Sequence, residues 1–375
     1  MFKKKPSAGA GPVPAAVSDL APCEKFLRLD LAPEAVQPVR AGVAAEFQKR
    51  AGLPGFRKGK APLDVVERQY GDAIRDETLR RAMQQAFQQV AKDHHLKPVG
   101  PFEVRAAAFT GAGGLHLEAT VEVEPAFALG AYKGIPLARP PLTVSPQEID
   151  QALQGLRESM AQLAPGKEGA GEKVRQVPPL DDELAKDLGF TDLAPLRAHV
   201  EAKLREQKRA AQAQAVEAML LDALLARHAF TVPAKLVARQ ADRLTRDFRA
   251  RLLLTGMAEE QVSAEAATFV DQLRTSATRH VKLGFIMDRI AEQEQVAVTQ
   301  EDLVKRLWQL AQRWKKDPAE VRRMFDAQEL WPSVVATLRQ EKTLALLLAA
   351  AAITNGAAAS PREIPTPAET PQPTT

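Results

Sequence analysis

The sequence has one cysteine and few aromatic residues, and each scarcity excludes a class of protein. Cys23 alone cannot form an intramolecular disulfide, and a single thiol rules out zinc or iron–sulfur sites built from several cysteines. Aromatic side chains make up 5% of the 375 residues, whereas Ala, Leu, Gln, Glu, Arg and Lys are common. This mixture favours helices over a β-sandwich.

The sequence also lacks a large charge excess and a long apolar run. Lys and Arg number 51 and Asp and Glu number 47, so the formal net charge is +4. That near balance disfavours nucleic-acid binding over the whole surface and leaves room for a local basic patch. The longest apolar run, residues 344–353, is about half of a membrane span. Pro12, Pro14 and Asp19 interrupt any signal-peptide pattern, so we expect a cytoplasmic protein with neither DNA nor membrane as partner.

Composition and apolar spacing divide the chain into five segments. Residues 1–20 and 355–375 are low-complexity tails that we predict to be disordered, because they cannot bury enough apolar surface to offset chain entropy. Residues 21–140 indicate an α+β domain and residues 181–354 an all-helical domain. Residues 141–180 form a connector, in which a capping box at Ser145 starts a helix and residues 165–179 form a flexible linker.

Within the α+β domain, apolar spacing predicts a strand at residues 26–31 and a helix ending near Arg50. Two further helices follow, one from Pro62 to about residue 70 and one around residues 79–90. Strands at 102–109 and 115–123 are joined by glycines. The second of these strands alternates apolar and polar residues, so its polar side chains, Thr120 and Glu122 among them, are expected in solvent.

The helical domain shows helical apolar spacing throughout residues 181–353. Predicted helices lie around residues 196–224, 236–252, 269–290, 299–314, 318–325 and 333–353. Phe230 to Pro233 and Thr255–Gly256 supply the breaks between the first three.

The sequence contains no motif of a known catalytic or metal site. GxSxG, GxxxxGK[ST] and HExxH are all absent. Gly111 and Gly113 lie between two predicted strands, which indicates a hairpin turn rather than a dinucleotide loop. His94 and His95 are adjacent, so they do not share a helix face, and we interpret them as a helix end. We therefore predict no catalytic residue, no metal and no cofactor.

One segment between the first two predicted helices concentrates positive charge. Between Lys49 and Lys60 the sequence holds five cations and no acid. Three glycines and Pro54 require a tight loop, which would lift the intervening side chains away from the scaffold. The composition fits a solvated charged loop and a tip that binds RNA phosphate or acidic protein equally well. The candidate site residues are Gly55, Phe56, Arg57, Lys58, Gly59 and Lys60.

The string GFRKGKAP, from Gly55 to Pro62, resembles the ribosome-docking signature of the trigger factor family of bacterial nascent-chain chaperones. Segments at residues 127–133, 178–185, 230–237, 254–257, 281–284 and 290–291 resemble further landmarks of that family in the same order. The resemblance implies an elongated, multidomain molecule. It would combine an α+β N-terminal ribosome-binding domain with an all-α C-terminal chaperone domain that carries arm-like helices.

The resemblance also implies function and partners. It implies an ATP-independent chaperone that docks on ribosomal protein and rRNA at the exit tunnel through residues 55–60. The same chaperone would hold nascent or unfolded polypeptides and form a weak homodimer. The client-binding residues stay unknown, because the apolar residues of a cradle and of helix cores look alike in the sequence.

The chain departs from the family at one place. The family usually carries a peptidyl-prolyl isomerase domain of the FK506-binding type between the helix near Leu156 and Asp181. Here that interval holds about twenty residues rich in Gly, Lys, Glu and Pro, whereas a domain needs at least about 50. We therefore predict that the chain is not an enzyme. The alternatives are a prolyl isomerase with its site elsewhere and a helical scaffold that merely inherited a basic loop.

Overall fold

A computed structural model describes residues 15–165 and 173–355 of the chain. Contacts group the chain into two compact units. Unit 1 comprises Met1–Leu129 and His228–Glu294, and unit 2 comprises Gly130–Arg227 and Gln295–Thr375. The boundaries drawn from the sequence, at residues 21–140, 141–180 and 181–354, follow composition rather than contacts, and they stay a prediction.

The described part of the chain alternates a few strands with many helices. In chain order the elements are β1 (Ala15–Ala21), β2 (Glu24–Leu31), α1 (Pro33–Arg50), α2 (Leu63–Asp93), β3 (Glu103–Phe109), β4 (Leu115–Glu122), β5 (Pro136–Arg139), α3 (Pro146–Ser159), β6 (Gln162–Pro165), β7 (Lys173–Gln176), α4 (Asp182–Asp187), α5 (Leu193–Arg227), α6 (Ala234–Leu254), α7 (Glu259–Thr268), α8 (Val270–Gln293), α9 (Gln300–Trp314), α10 (Pro318–Ala327), α11 (Trp331–Ala350) and β8 (Ala352–Asn355). This order confirms the predicted fold class, an α+β N-terminal part followed by a mainly helical C-terminal part.

Unit 1 contains an antiparallel sheet with strand order β1-β2-β4-β3. The register pairs Leu27 with Ala119 and Leu29 with Leu117, so these buried side chains line the inner face. Strand β1 corrects one prediction. Residues 15–20 were expected to be disordered, but Ala15–Ala21 pairs with β2, because backbone hydrogen bonds to a neighbouring strand compensate for weak side-chain burial. The rest of that predicted tail lies outside the described residues.

Helices α1 and α2 cover the inner face of the sheet. Val36 of α1 and Ala86 and Val90 of α2 join the core formed by the strands. The second and third helices predicted from the sequence are one element, α2, with a single non-helical residue at Tyr70 (φ −120°, ψ 21°). The kink at Tyr70 separates two helical segments, so the structure confirms two helices here, with their boundary at the residue where the first was expected to end.

The outer face of β4 differs from its prediction at two residues. Thr120 is 1% exposed and Glu122 is 5% exposed, although both were expected in solvent. The cause for Glu122 is the start of α6, whose backbone N–H groups at Lys235 and Leu236 donate to the carboxylate. In the same unit α6 packs along α8, and Phe248 contacts Phe269 at a centroid distance of 5.3 Å.

In unit 2, α3, α4 and α5 share a core around Leu153 and Leu196, and α9, α10 and α11 share another around Val321 and Phe325. The capping box predicted at Ser145 is present at the start of α3. The last helix was expected to reach residue 353, but it ends at Ala350. Residues 352–355 instead form β8, which runs parallel to β5. The predicted tail beyond residue 355 lies outside the described residues.

The linker predicted at residues 165–179 is partly an ordered ladder. Strands β6 and β7 pair antiparallel, with Gln162 opposite Gln176 and Pro165 opposite Lys173. Residues 166–172, at the centre of that prediction, lie outside the described residues. Across the described ranges, no helix combines the length and the apolar character needed to cross a bilayer.

Candidate functional site

The basic segment found in the sequence lies at the tip of the helical hairpin formed by α1 and α2. A small apolar cluster separate from the sheet core holds the two helices together there, with Val43, Val66 and Ile74 at its centre. Residues 51–62 connect the helices across this cluster. The hairpin therefore carries the loop at the end opposite to the sheet core.

Two tight turns in succession shape the loop. The N–H of Phe56 donates to the carbonyl of Leu53 (3.1 Å), and the N–H of Lys60 donates to the carbonyl of Arg57 (2.9 Å). The third residue of each turn is a glycine in the left-handed region, Gly55 at φ +84° and Gly59 at φ +78°. A type II turn requires this conformation at its third position, and glycine adopts it without steric cost.

The ends of the loop are anchored while its middle is free. Leu53 packs against the tip cluster, and Ala61 is 2% exposed within it. The side chain of Gln48 on α1 donates from Nε2 to the carbonyl of Ala61 at 2.7 Å. The sequence offered no signal for this anchor, because a glutamine near the end of a helix usually faces solvent. Fixed ends place the intervening side chains at a defined position beyond the helices.

The middle of the loop presents one aromatic ring and three cations to solvent. Phe56 is 42% exposed, and Arg57, Lys58 and Lys60 are all exposed. Within the described residues, none of the three cations forms an ion pair or a side-chain hydrogen bond with a neighbour. The structure thus brings all six predicted site residues, 55–60, together in one exposed loop. Their docking role stays a prediction.

Two arginines of α2 near the loop are, by contrast, paired with acids. Arg81 of α2 makes a bidentate pair with Glu46 of α1 (2.9 and 2.7 Å), and its Nε donates to Glu77 at 2.6 Å. Arg80 also donates to Glu77 at 2.9 and 2.7 Å. These hydrogen bonds lower the pKa of Glu77 to about 2 and hold the pKa of Glu46 below its usual range. Glu77 and Arg81 lie four residues apart on one helix, so their spacing is a signal that the sequence analysis missed, whereas the link to Glu46 depends on tertiary packing.

The exposed groups of the loop have the chemistry that recognises anions. Unpaired guanidinium and ammonium groups attract phosphate or carboxylate, and exposed ion pairs of this kind contribute about 0.2–1 kcal/mol each. In the described part of the chain, no group of three His, Cys, Asp or Glu residues is arranged to hold a metal ion. The thiol of Cys23 donates to the carbonyl of Thr231 (3.4 Å), and burial raises its pKa, so it is less reactive than a free thiol.

Two family models match the chain. The model described as bacterial trigger factor protein (TF) matches residues 15–156, and the model described as bacterial trigger factor protein (TF) C-terminus matches residues 192–349. The interval 157–191 belongs to neither match. This interval contains the end of α3, both strands β6 and β7, and α4.

Curated relatives give the same family. A trigger factor of Anaeromyxobacter sp. (strain Fw109-5) is 26% identical over 424 residues, covering 90% of this chain and 98% of the relative. A trigger factor of Pelobacter propionicus is 23% identical over 424 residues, covering 90% and 97%. Since 90% of 375 residues is about 338, about 86 of the 424 aligned positions have no counterpart in this chain.

A solved structure described as "Promiscuous Substrate Recognition in Folding and Assembly Activities of the Trigger Factor Chaperone" aligns at a TM-score of 0.49 and 18% identity, covering 89% of this chain and 99% of that chain.

Proposed function

Because two models of one family together match residues 15–156 and 192–349, the chain belongs to the trigger factor family of ribosome-associated chaperones, and we propose that it docks on the ribosome through residues 55–60. Docked there, it holds nascent or unfolded polypeptides, without ATP and without catalysing prolyl isomerisation. The observation that supports the docking proposal is the hairpin tip, where Phe56 and three unpaired cations are exposed on a loop whose ends are anchored to the helices.

The ribosome surface offers what such a tip would bind, namely rRNA phosphates and acidic side chains of ribosomal proteins. Three exposed ion pairs contribute about 0.2–1 kcal/mol each, and covering the exposed part of the Phe56 ring adds about 1 kcal/mol. The total is small, so the contact is reversible and weakens as salt rises. A chaperone that must leave the ribosome with its client benefits from a weak contact.

Cosedimentation with ribosomes tests the docking proposal. We expect the triple variant Phe56→Ala, Arg57→Ala, Lys58→Ala to lose most ribosome binding, because it removes the ring and two of the three cations. The matched control is the triple variant Val304→Ala, Arg322→Ala, Arg323→Ala, which also removes one exposed apolar and two exposed cationic side chains. The control should bind as the unchanged chain does. Equal binding by the two triple variants contradicts the proposal.

The salt dependence of binding then separates phosphate from protein as the docking partner. The logarithm of the binding constant falls as the logarithm of the salt concentration rises. If Arg57 and Lys58 each contact a phosphate, removing them makes this slope shallower by about 1 per residue. If they contact acidic side chains, the affinity falls while the slope changes much less. Either result is compatible with docking, and the size of the change assigns the partner.

The absence of isomerase activity is supported by length. The residues between α3, which ends at Ser159, and α4, which begins at Asp182, are too few for a domain of at least about 50 residues. The relatives, moreover, have about 86 aligned positions that this chain lacks. We expect the chain to suppress aggregation of a denatured model protein equally with and without ATP. We also expect it to leave the rate of proline-limited refolding unchanged, and an increase in that rate restores the isomerase alternative.

The proposed partners are thus the ribosome, nascent chains and unfolded polypeptides, and a weak homodimer follows from the family resemblance alone. Sedimentation equilibrium over a range of protein concentrations tests the homodimer. A mass that stays at 40.8 kDa at all concentrations contradicts it.

A further inference from the structure

One face of helix α9 in unit 2 combines an exposed tryptophan with unpaired cations. We propose that this face, the α9 stripe formed by Lys305, Trp308, Gln312 and Lys315, binds single-stranded RNA. The inference goes beyond docking through residues 55–60. It rests on the proposed function only in the choice of RNA over DNA, because a chain docked on the ribosome lies beside RNA.

The α9 stripe follows from helical spacing. Its four residues lie at positions i, i+3, i+7 and i+10, so they share one side of the helix, and all four are exposed. Leu310 and Ala311 lie on another side and pack into the core around Phe325. From Lys305 to Lys315 the helix rises about 15 Å at 1.5 Å per residue, a length suited to a short run of nucleotides.

Trp308 supplies a flat ring that the fold leaves unused. Its side chain is 56% exposed, and it makes no ring contact with any residue that the structure describes. Trp314, at the end of the same helix, instead packs against Phe325 at a centroid distance of 6.1 Å. An indole face in solvent can accept a nucleobase by stacking, and such stacking tolerates every base.

Positive charge surrounds this ring. Residues 305–323 include seven cations and two acids. Two of the cations are paired, Arg306 with Glu341 and Lys316 with Glu320. The other five are exposed and form no ion pair within residues 15–165 and 173–355, namely Lys305, Arg313, Lys315, Arg322 and Arg323. Unpaired ammonium groups therefore lie at both ends of the α9 stripe.

The nearest acids do not neutralise the α9 stripe. Glu301 is exposed one turn before Lys305, so it bounds the stripe at the start of the helix. Asp317 lies beyond the other end and caps α10, where it accepts the N–H of Ala319 at 2.7 Å. Between these two acids the stripe itself carries only basic, aromatic and amide side chains.

This combination favours RNA over an unfolded polypeptide as the occupant. RNA carries a phosphate and a flat base in every nucleotide, so one strand can use the flanking lysines and the ring together. The amide of Gln312, which both donates and accepts, suits the edge of a base. A polypeptide of mixed charge would leave the two lysines without a regular partner.

Substitution of the ring tests the stacking. The probe is a fluorescein-labelled oligonucleotide of twelve uridines, and its binding to the full chain is measured by fluorescence anisotropy. We expect Trp308→Leu to weaken binding about 5-fold or more, because it keeps an apolar side chain but cannot stack. Trp308→Phe keeps a flat ring and should retain most of the affinity. Equal affinities of the two variants overturn the proposal.

The salt dependence of the same binding tests the charges. The double variant Lys305→Ala, Lys315→Ala should weaken binding and make the slope of log K against log salt shallower by about 0.7 per lysine, the value for single strands. The matched control Lys186→Ala, Lys203→Ala removes two other exposed lysines of unit 2 that form no ion pair with a described residue. The control should leave the slope unchanged, and equal slopes for the two double variants contradict the proposal.

Aggregation suppression tests the competing occupant. We expect Trp308→Leu to suppress the aggregation of a denatured model protein as the unchanged chain does, because the ring is assigned to RNA. A loss of suppression in this variant shows that the ring contacts polypeptide, and it overturns the assignment.

Ribosome cosedimentation distinguishes this inference from the docking proposal. The variant Lys305→Ala, Lys315→Ala should bind ribosomes freed of messenger RNA as the unchanged chain does, since helical RNA keeps its bases stacked and offers none to the ring. The triple variant of the loop at residues 55–60 should still bind the oligonucleotide. If the loop variant loses the oligonucleotide while Trp308→Leu keeps it, the α9 stripe is overturned and docking stands. If the loop variant keeps ribosome binding while Trp308→Leu loses the oligonucleotide, docking is overturned and the α9 stripe stands.

Discussion

Replacing Glu122 by alanine should detach the start of α6 from the sheet in unit 1. The carboxylate of Glu122 is 5% exposed, and it accepts the N–H of Lys235 at Oε1 (2.6 Å) and the N–H of Leu236 at Oε2 (3.0 Å). The residue that precedes the helix, Pro233, supplies no side-chain cap. A strand residue more than a hundred positions earlier therefore caps this helix.

The cost of the substitution follows from these two hydrogen bonds. A hydrogen bond to a charged group contributes about 1.5–3 kcal/mol, and a negative charge at a helix N-terminus adds about 0.3–1 kcal/mol. Allowing for non-additivity, we expect Glu122→Ala to lower the free energy of unfolding by about 3–5 kcal/mol. Glu122→Gln keeps one acceptor oxygen and should cost about 1–2 kcal/mol.

Urea denaturation followed by circular dichroism measures the loss, and hydrogen exchange locates it. The amides at the start of α6 should exchange faster in Glu122→Ala, because they lose their acceptors. The control is Glu103→Ala, which removes an exposed acid paired with Lys235 (2.6 Å) and should cost about 1 kcal/mol or less. A loss for Glu122→Ala no larger than that of the control refutes the reasoning.

Three further predictions concern the loop, the hairpin and the core. Gly59→Ala should lower the free energy of unfolding by about 1 kcal/mol and weaken ribosome binding, because the φ of +78° at this position strains any residue with a Cβ. The control Gly52→Ala should change neither quantity. Urea denaturation and ribosome cosedimentation measure the two effects. Since the pKa of Glu77 is lowered to about 2, its stabilising effect is complete above its ordinary pKa of 4.5 and is lost as pH falls towards 2. Glu77→Gln should therefore lack that part of the acid unfolding profile, and an unchanged profile contradicts the assigned ion pairs. Leu153→Ala should lower the free energy of unfolding by about 2–5 kcal/mol, because Leu153 is fully buried. The control Leu254→Ala lies at a position that is 87% exposed and should change this free energy by less than about 0.5 kcal/mol. Calorimetry compares the two variants.

Much of the helical architecture was predictable because helices depend on local spacing. The predicted helix at 299–314 corresponds to α9, Gln300–Trp314, and the one at 236–252 to α6, Ala234–Leu254. The capping box at Ser145 was readable for the same reason, since its two partners lie three residues apart. The short strands β1 and β8 were missed, because they are rich in small or mixed residues and owe their structure to pairing with distant strands.

The candidate loop was predictable in part. Its cations, glycines and proline are adjacent in the chain, so their combination is visible in the sequence. The anchor from Gln48 to Ala61 and the neutralisation of Arg81 by Glu46 were not visible, because both join residues of different helices. Only the packed hairpin shows which charges are satisfied and which are left for a partner.

The sequence by itself determined where helices run, where the chain turns and where positive charge is concentrated, because these depend on residues within a few positions of one another. The tertiary structure alone decided that Glu122 is buried beneath a helix start and that Arg81 is paired with Glu46 of another helix. It also decided that α3, α4 and α5 share one apolar core around Leu153 and Leu196. Burial and charge pairing depend on distances between remote parts of the chain, and only packing sets those distances.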